Sequence, residues 1–399
     1  MTTGRHFLQV PGPTNLPSAV LRALSRDVID HRSPEFATLT LEIMSKLGRL
    51  VGTNAPIVIY PSSGTGAWEA ALVNTLSPGE TVLVPENGFF AQQWAKLATR
   101  LGFGARAIPG DWRRGVDADL VASTLKGDTE RAIRAVAIVH NETSTGVRSD
   151  LQPIREAIDA TGHDALLIVD TISSLGSADY RHDEWGIDVM VGCSQKGLQL
   201  PPGIGLNILS RRALERHELS TAHRGYFDWS PMLEANRAGF FPYTPPTNLL
   251  YALDASLDLL LDEGMERVVA RHDRHAAATR AAVDAWSLEL QCVRPSELSN
   301  SLTAVRTTED LDADDLLRVV RERFDTSLGT GLGQLRGRVF RIGHLGALND
   351  PMLLGALGAV EAGLRSVRHV ITDSGVAAAT EFLAINDLGS DPTTDPPRV

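Results

Sequence analysis

The residues best suited to chemistry are a lysine and an aspartate that each follow an apolar run. Lys196 stands just after the run 187–192, and Asp170 directly follows the run 165–169. At the ends of two neighbouring buried strands, their side chains would lie close together. An amine that forms a Schiff base and a carboxylate that keeps a ring nitrogen protonated suit pyridoxal phosphate. The alternative is a surface lysine that happens to follow a strand.

A run of small and hydroxylated residues, Ser62-Ser63-Gly64-Thr65-Gly66, follows the first predicted strand and opens a helix. Its glycines let backbone N–H groups approach an anion, and the helix N-terminus attracts negative charge. The hydroxyls of Ser63 and Thr65 can add hydrogen bonds. The run lacks the GxGxxG spacing of dinucleotide sites and the Lys-Ser/Thr of a P-loop. It indicates either another kind of phosphate site or an ordinary capping turn.

An aromatic residue and a polar cluster follow two further strands. Phe90, in Asn87-Gly88-Phe89-Phe90, could stack on a flat ring or belong to the core. The cluster His140–Gly146, which contains Thr143, follows the predicted strand Ala135–Val139. Open α/β sheets place ligands at such carboxyl ends. The alternative is a loop whose Asn and Thr cap the helix that begins near Leu151.

Arg341 lies in a predicted strand between apolar neighbours, Phe340 and Ile342. Because burying its charge alone is expensive, it needs a partner. A substrate carboxylate would bind it through two parallel hydrogen bonds, and an internal Asp or Glu is the alternative.

Three loops are less specific. The glycine-rich stretch Gly329–Gly333 does not open a convincing helix, and we expect a flexible loop there. The segments Pro11–Asn15 and His31–Pro34 either line a pocket mouth or are turns.

Short apolar runs alternate with amphipathic helices in the first half of the chain. We predict helices at Gly66–Leu76, Phe90–Leu101 and Leu151–Thr161. The predicted strands are Ile57–Tyr60, Thr81–Val84, Ala105–Ile108, Arg134–Val139, Leu166–Asp170, Asp188–Gly192 and Gly205–Leu209. Continuous Val/Ile/Leu strands indicate burial on both faces. The alternation predicts an α/β fold with a mainly parallel, seven-stranded sheet between helices.

After Pro246 the pattern changes to a smaller α+β domain. A helical region from Leu249 to Trp286, interrupted at Gly264, is followed by alternating strands and helices. These are Ser301–Arg306, Ala313–Phe324, Arg338–Ile342 and Pro351–Leu364. We expect an N-terminal segment over residues 1–20, a large domain over 21–263, a small domain over 264–385 and a disordered tail over 386–399.

Composition narrows the function class. The 399 residues carry a net charge of −11, which argues against a general nucleic-acid binder. No run approaches the roughly twenty apolar residues of a membrane helix, and the first residues do not resemble a signal peptide. The two cysteines, outside any metal-binding spacing, suit a reducing compartment. We expect a cytoplasmic protein without a metal, and the last residues do not form a standard peroxisomal signal.

Taken together, the motifs resemble one family from about Gly4 to about Ala379: the class V, fold-type I pyridoxal-phosphate aminotransferases. Within it, the serine–glyoxylate and alanine–glyoxylate group is most similar, and the aspartate–glyoxylate enzymes are nearly as close. The stretches that carry the resemblance are GRHFLQVPGPTN, PSSGTGAWEAALVNTLSPGE, HNETSTGV, LLIVDTISSLGS, DEWGIDV, GCSQKGLQLPPG, PYTPP, GRVFRIGHLG and SGVAAA.

The resemblance implies a role for each matching residue. Lys196 would hold pyridoxal 5'-phosphate and carry the proton, Asp170 would pair with the pyridine nitrogen, and Arg341 would bind the substrate carboxylate. The remaining cofactor contacts implied are Ser63, Gly64, Thr65 and Gln195 at the phosphate, Phe90 stacked on the ring, Thr143 at the phenolic oxygen, and Tyr243 and Thr244 from a neighbouring subunit. Many relatives have tryptophan at the position of Phe90, and some have tyrosine where this chain has Phe241.

The resemblance further implies a homodimer with composite active sites, and leaves room for a higher oligomer. Its substrates would be small amino and keto acids: glyoxylate would become glycine, with L-serine the favoured donor and hydroxypyruvate the second product. Aspartate and alanine remain alternative donors, because the residues that contact the donor side chain are not identifiable; His31 and Arg32 are candidates only.

Other functions share the fold. A cysteine desulfurase needs a reactive cysteine on a mobile loop, whereas Cys193 is next to the strand that precedes Lys196 and Cys292 is predicted to lie in a strand. A lyase or decarboxylase is also possible. A non-catalytic binding protein is disfavoured by the joint presence of Lys196, Asp170 and Arg341.

Overall fold

A computed structural model describes residues 4–386 of the chain. Of the tail expected to be disordered over 386–399, all but the first residue lies outside the described residues. The strands are β1 (Phe7–Gln9), β2 (Ile57–Ser62), β3 (Thr81–Glu86), β4 (Gly104–Pro109), β5 (Ile133–Val139), β6 (Asn141–Glu142), β7 (Val147–Arg148), β8 (Leu166–Asp170), β9 (Val189–Cys193), β10 (Gly203–Leu209), β11 (Glu289–Leu290), β12 (Leu302–Arg306), β13 (Thr326–Thr330) and β14 (Val339–Gly343). The helices are α1 (Ser18–Leu24), α2 (Pro34–Val51), α3 (Gly64–Thr75), α4 (Phe89–Arg100), α5 (Ala118–Lys126), α6 (Leu151–Ala160), α7 (Arg211–Leu219), α8 (Trp229–Asn236), α9 (Thr247–Glu263), α10 (Met265–Ala285), α11 (Ala313–Phe324), α12 (Asp350–Ser366) and α13 (Gly375–Ile385).

The larger sheet has seven strands in the order β2-β10-β9-β8-β5-β3-β4. The neighbours from β9 to β4 are parallel, and β10 is antiparallel to both β2 and β9. Only residues 194–202 join β9 to β10, too few for the crossover that parallel strands need. The prediction of a mainly parallel seven-stranded sheet is confirmed.

Helices cover both faces of this sheet. In β8, Leu167 and Val169 pack into one core with α2, α6 and α9, while Leu166 and Ile168 pack into a second core with α3 and α4. Alternate side chains of a strand point to opposite faces, so a continuous apolar run is what burial on both sides requires.

The smaller sheet has the order β1-β13-β14-β12-β11 and packs against α10 to α13. β1, from the N-terminus, pairs in parallel with β13, and the other pairings are antiparallel. The smaller α+β unit is therefore completed by the first strand of the chain. The predicted helical region 249–286 forms α9 and α10, which meet at Gly264, a residue with φ of +81°.

The expected flexible loop at Gly329–Gly333 is wrong in part. Gly329 and Thr330 belong to β13 and pair with Arg341 and Phe340. A Cβ on Gly329 would lie 2.8 Å from Cδ of Pro11. The glycine lets two backbones approach closely inside a strand, a use that composition alone does not separate from a loop.

Within residues 4–386, no helix is long and apolar enough to cross a membrane. The same residues contain no group of three or more His, Cys, Asp or Glu arranged to hold a metal ion.

Candidate active site

The loop that carries Lys196 follows β9 and is tied to its surroundings at both ends. The hydroxyl of Ser194 accepts a hydrogen bond from the backbone N–H of Ile204 at 3.1 Å and donates to the carbonyl of Pro201 at 2.7 Å. The hydroxyl of Thr14 donates to the Lys196 carbonyl at 3.1 Å. These bonds fix the backbone from which the lysine side chain extends.

The Lys196 amine meets the N-terminal segment of the chain. Its Nζ donates to the carbonyl oxygen of Pro11. Gly12 has a φ of +89°, and a Cβ there would lie 2.4 Å from Cδ of Lys196. Gly343 allows the same close approach from the other side, because its Cβ would lie 2.3 Å from the Val10 carbonyl. Residues 10–12 are thus held between the smaller sheet and the lysine.

The electrostatic environment lowers the pKa of Lys196 to about 8. Burial is the main cause, because it disfavours the charged amine. The negative charge of Asp170 opposes this decrease, and the positive charge of Arg341 adds to it. About a tenth of the amine is therefore neutral at pH 7, far more than for a lysine with the ordinary pKa of 10.5, and this fraction can act as a nucleophile or a base.

Asp170 ends β8 with its carboxylate buried at 3% exposure. One oxygen accepts the backbone N–H of Ile172 at 2.7 Å, and the other accepts the indole N–H of Trp68 at 2.7 Å. Burial raises the pKa of Asp170 to about 7, although both hydrogen bonds and the Lys196 charge lower it. The carboxylate is ready to accept a further N–H from a cationic partner, which would hold it ionised.

The Ser63–Thr65 loop forms the N-terminus of α3. Ser63 is the N-cap residue, yet its side chain makes no capping hydrogen bond in the described chain. Ser63 and Thr65 are both exposed. A Cβ on Gly64 would lie 2.2 Å from Cδ1 of Ile172, so a larger residue would displace that side chain. Because the Ser63 side chain makes no capping bond, its hydroxyl is available to bind an anion at the helix N-terminus.

Phe90 lies in the first turn of α4. Its ring meets that of Trp68 edge to face at 6.4 Å. Its backbone N–H donates to a carboxylate oxygen of Glu142 at 3.1 Å, and the N–H of Ala91 donates to the same oxygen. The other Glu142 oxygen accepts from Ser144. Glu142 is fully buried and fixes where α4 begins, and with it the position of the Phe90 ring.

Thr143 lies in the polar loop that follows β5. Its hydroxyl donates to Oγ of Ser173 at 2.8 Å, and that hydroxyl in turn donates to the Asn141 carbonyl at 2.8 Å. A bond from Thr143 to a phenolate oxygen would require its hydroxyl to rotate. The loop does not cap α6, as the alternative interpretation supposed, because Asp150 supplies that cap.

Arg341 projects from β14 with 7% of its surface exposed. Its Nε donates to the Thr330 carbonyl and its Nη1 to the Thr143 carbonyl, both at 2.8 Å. Within residues 4–386 it forms no ion pair with an Asp or Glu, so the internal partner expected as the alternative is not there. Burial lowers its pKa to about 10, and the charge of Glu142 offsets this only in part. The remaining N–H groups of the guanidinium can bind an anion.

The structure therefore brings Lys196, Asp170, Arg341 and the loops of Phe90 and Thr143 to one end of the larger sheet. Gln195 precedes the lysine and is half-buried. Tyr243 instead stacks on Tyr226, with ring centroids 4.3 Å apart, and Thr244 is exposed. Neither residue is held to Lys196 or Arg341 by a hydrogen bond within the described part of the chain.

The N-terminal candidates for donor recognition have local partners. Ser33 caps α2 by accepting the N–H of Phe36, and the backbone of Arg32 donates to Asp30. Phe241, where some relatives have tyrosine, packs edge to face on Phe36 at 6.1 Å. The segment His31–Pro34 is thus explained as a turn that starts a helix.

Some functional neighbours carried no predicted role. Trp68, Glu142 and Ser173 each lie inside a motif whose other members were assigned. The spacing of Gly64 and Trp68 could have revealed the tryptophan, since residues four apart share a helix face. The hydrogen bond from Lys196 to the Pro11 carbonyl leaves no pattern in the local sequence, because the two residues are far apart in the chain.

The chain belongs to the class V aminotransferases, because the family described as Aminotransferase class-V matches residues 6–333. It is 43% identical over 384 residues to a serine–glyoxylate aminotransferase from Arabidopsis thaliana, covering 95% of this chain and 96% of the relative. It is 44% identical over 383 residues to an L-aspartate–glyoxylate aminotransferase from Paracoccus denitrificans, with the same coverage. A solved ureidoglycine–glyoxylate aminotransferase from Bacillus subtilis superposes with a TM-score of 0.88 at 27% identity, covering 96% of this chain and 99% of that one.

The cysteines do not fit a desulfurase. Burial raises the pKa of Cys193 to about 12, and burial also raises the pKa of Cys292. Reactive cysteines have a lowered pKa and are accessible. Cys292 does not lie in a strand, contrary to the prediction, because β11 ends at Leu290.

Proposed function

We propose that this chain binds pyridoxal 5'-phosphate and transfers the amino group of L-serine to glyoxylate, giving hydroxypyruvate and glycine. The observation that carries the proposal is the convergence of Lys196, Asp170 and Arg341, the last a buried cation without an acidic partner. A neutral amine, a buried carboxylate and an anion anchor are what amino-group transfer requires.

The residues present fit the cofactor. Lys196 would hold its aldehyde carbon, Asp170 its ring nitrogen, and Ser63, Gly64, Thr65 and Gln195 its phosphate. Phe90 would cover one face of the ring, and Thr143 would meet the phenolic oxygen. When bound, the cofactor supplies an imine-forming aldehyde and a ring that accepts the electrons of the broken Cα–H bond.

The chain's own groups perform the proton transfers. The Lys196 amine accepts the proton from the substrate Cα and must be neutral to do so, which its lowered pKa favours. Asp170, as an anion, keeps a proton on the ring nitrogen. Arg341 holds the carboxylate that serine and glyoxylate share and so orients the reacting carbon.

The choice of serine is supported by the relatives named serine–glyoxylate aminotransferases. Aspartate is the alternative donor, supported by the relative from Paracoccus denitrificans, and alanine is a third. Serine, aspartate and alanine differ only beyond Cα, away from the three residues that carry the proposal.

We also propose a homodimer in which Tyr243 and Thr244 reach the phosphate of the neighbouring site. Thr244 is exposed, and the Tyr243 ring stacks on Tyr226 and not on any of the residues proposed to hold the cofactor within this chain's own site. A large domain over 21–263 and a small domain over 264–385 are supported by the two sheets and by the break at Gly264. The free, buried Cys193 and Cys292 support a cytoplasmic location.

The test uses purified protein loaded with pyridoxal phosphate. The visible band should shift on addition of L-serine, and glyoxylate should then yield glycine. The values of kcat/KM for serine, aspartate and alanine against glyoxylate decide the donor. Lys196→Ala should abolish turnover, whereas Lys126→Ala, which removes an exposed lysine at the end of α5, should not. Steady-state transamination by the Lys196→Ala protein would refute the assignment.

A further inference from the structure

The indole of Trp68 makes a buried hydrogen bond to Asp170. Trp68 lies one turn into α3 and is 4% exposed, and its Nε1 donates to Asp170 Oδ2 at 2.7 Å. The other carboxylate oxygen is held by the N–H of Ile172 at 2.7 Å. The two donors together fix the plane of the carboxylate and the direction in which its remaining lone pairs point.

Without these donors the carboxylate would lose its charge more easily. Burial raises the pKa of Asp170 to about 7, and the negative charge of Glu142 adds to that increase. The bonds from Ile172 and Trp68 and the charge of Lys196 act in the opposite direction. Since the pKa lies near neutrality, removing one donor would change how much of the carboxylate is ionised.

Packing alone does not account for this indole, because the chain contains an internal comparison. Trp94 of α4 is stacked on Trp68 with ring centroids 5.4 Å apart and an interplanar angle of 12°. Both rings are buried in the same core. The Nε1 of Trp94 has no hydrogen-bond partner among the described residues, whereas that of Trp68 is bonded to Asp170.

We propose that Trp68 is a positioning residue for the cofactor: its indole N–H keeps the Asp170 carboxylate anionic and oriented, so that the proton shared with the pyridine nitrogen stays on the ring. The inference rests on the proposed function. No covalent bond to carbon is involved; one proton is placed either on the ring nitrogen or on Asp170, and the total charge is the same in both cases. Its position matters because only the protonated ring withdraws electrons strongly.

The test compares Trp68→Phe with Trp94→Phe, which remove similar atoms from the same stack. Each protein is loaded with pyridoxal phosphate carrying nitrogen-15 in the ring, and the nitrogen chemical shift reports protonation directly. The wild-type and Trp94→Phe proteins should show a protonated ring. In Trp68→Phe the shift should move toward that of neutral pyridine, and the affinity of the cofactor-free protein for pyridoxal phosphate should fall about tenfold.

An unchanged ring nitrogen in Trp68→Phe, equal changes in both variants, or an unprotonated ring in the wild type would overturn the inference. If circular dichroism shows that Trp68→Phe does not fold, the same measurement is made on Trp68→His. A neutral imidazole lacks the benzene ring of the indole but retains an N–H that can donate to Asp170. A protonated ring in Trp68→His supports the inference, and a neutral ring overturns it. A wild-type protein that takes up no pyridoxal phosphate would instead defeat the proposed function.

Discussion

Replacing Arg341 by glutamine tests the anchor on which the proposed reaction depends. The guanidinium donates one N–H to the Thr330 carbonyl and one to the Thr143 carbonyl. These two bonds orient its remaining N–H groups, which would bind the substrate carboxylate. A substrate carboxylate bound through two charge-assisted hydrogen bonds would gain about 1.5–3 kcal/mol from each. Glutamine is neutral, so a loss of about 3 kcal/mol in transition-state binding is expected, or roughly 150-fold in kcat/KM.

The loss should be similar for both half-reactions, because serine and glyoxylate carry the same carboxylate. Each half-reaction is followed separately by the cofactor's absorbance, and thermal unfolding shows whether the variant remains folded. Arg306→Gln is the matched control, since this arginine lies in β12 of the same sheet and bonds to the Gln291 side chain at 2.8 Å. A decrease below about threefold in both half-reactions, or a decrease for serine alone, would refute the role as a carboxylate anchor.

Two further predictions concern Lys196 and its neighbour. Gly12→Ala and Gly79→Ala each place a Cβ at a positive φ, near +89° and +87°, which should cost about 1 kcal/mol of stability. Gly12→Ala should lose roughly 1–3 kcal/mol more, because only its Cβ would meet the Lys196 side chain. Only the Gly12 variant should also capture pyridoxal phosphate more slowly, and equal capture rates would contradict the contact. In the cofactor-free protein the rate of capture should rise with pH through about 8 and then level off, because the pKa of Lys196 is lowered to about 8 from 10.5 and only the neutral amine reacts. A rate that still rises steeply above pH 9 would mean an unshifted lysine.

The fold was predictable where the chain repeats a simple pattern. Buried strands such as β8 are continuous apolar runs, and the helices between them are amphipathic, so the seven-stranded sheet followed from periodicity. Short strands could not be predicted from periodicity. β1 and β11 span only 3 and 2 residues, too few to show alternation. β13 contains Gly329, whose presence reflects the close passage of Pro11 and not a loop.

The site was predictable to the extent that its residues lie at strand ends. Lys196 and Thr143 follow strands of one sheet and Asp170 is the last residue of another of its strands, and the carboxyl ends of parallel strands lie at the same edge of a sheet. The partners of these residues were harder to find. That Trp68 bonds to Asp170 depends on how α3 is placed over the sheet, and that Arg341 bonds to the Thr143 carbonyl depends on the packing of two separate sheets. Such contacts are set by tertiary structure, which leaves no local pattern.

The pairing of β1 with β13 has a consequence for the order in which the chain folds. His6 and Asp325, which flank this pairing, are hydrogen-bonded across 319 residues of sequence. On a ribosome the first strand therefore emerges long before its neighbour exists. Until β13 and β14 are made, the Pro11 carbonyl has no sheet to hold it against Lys196. Contacts between such distant segments form slowly, so we expect the lysine site to mature late, after the larger sheet has folded.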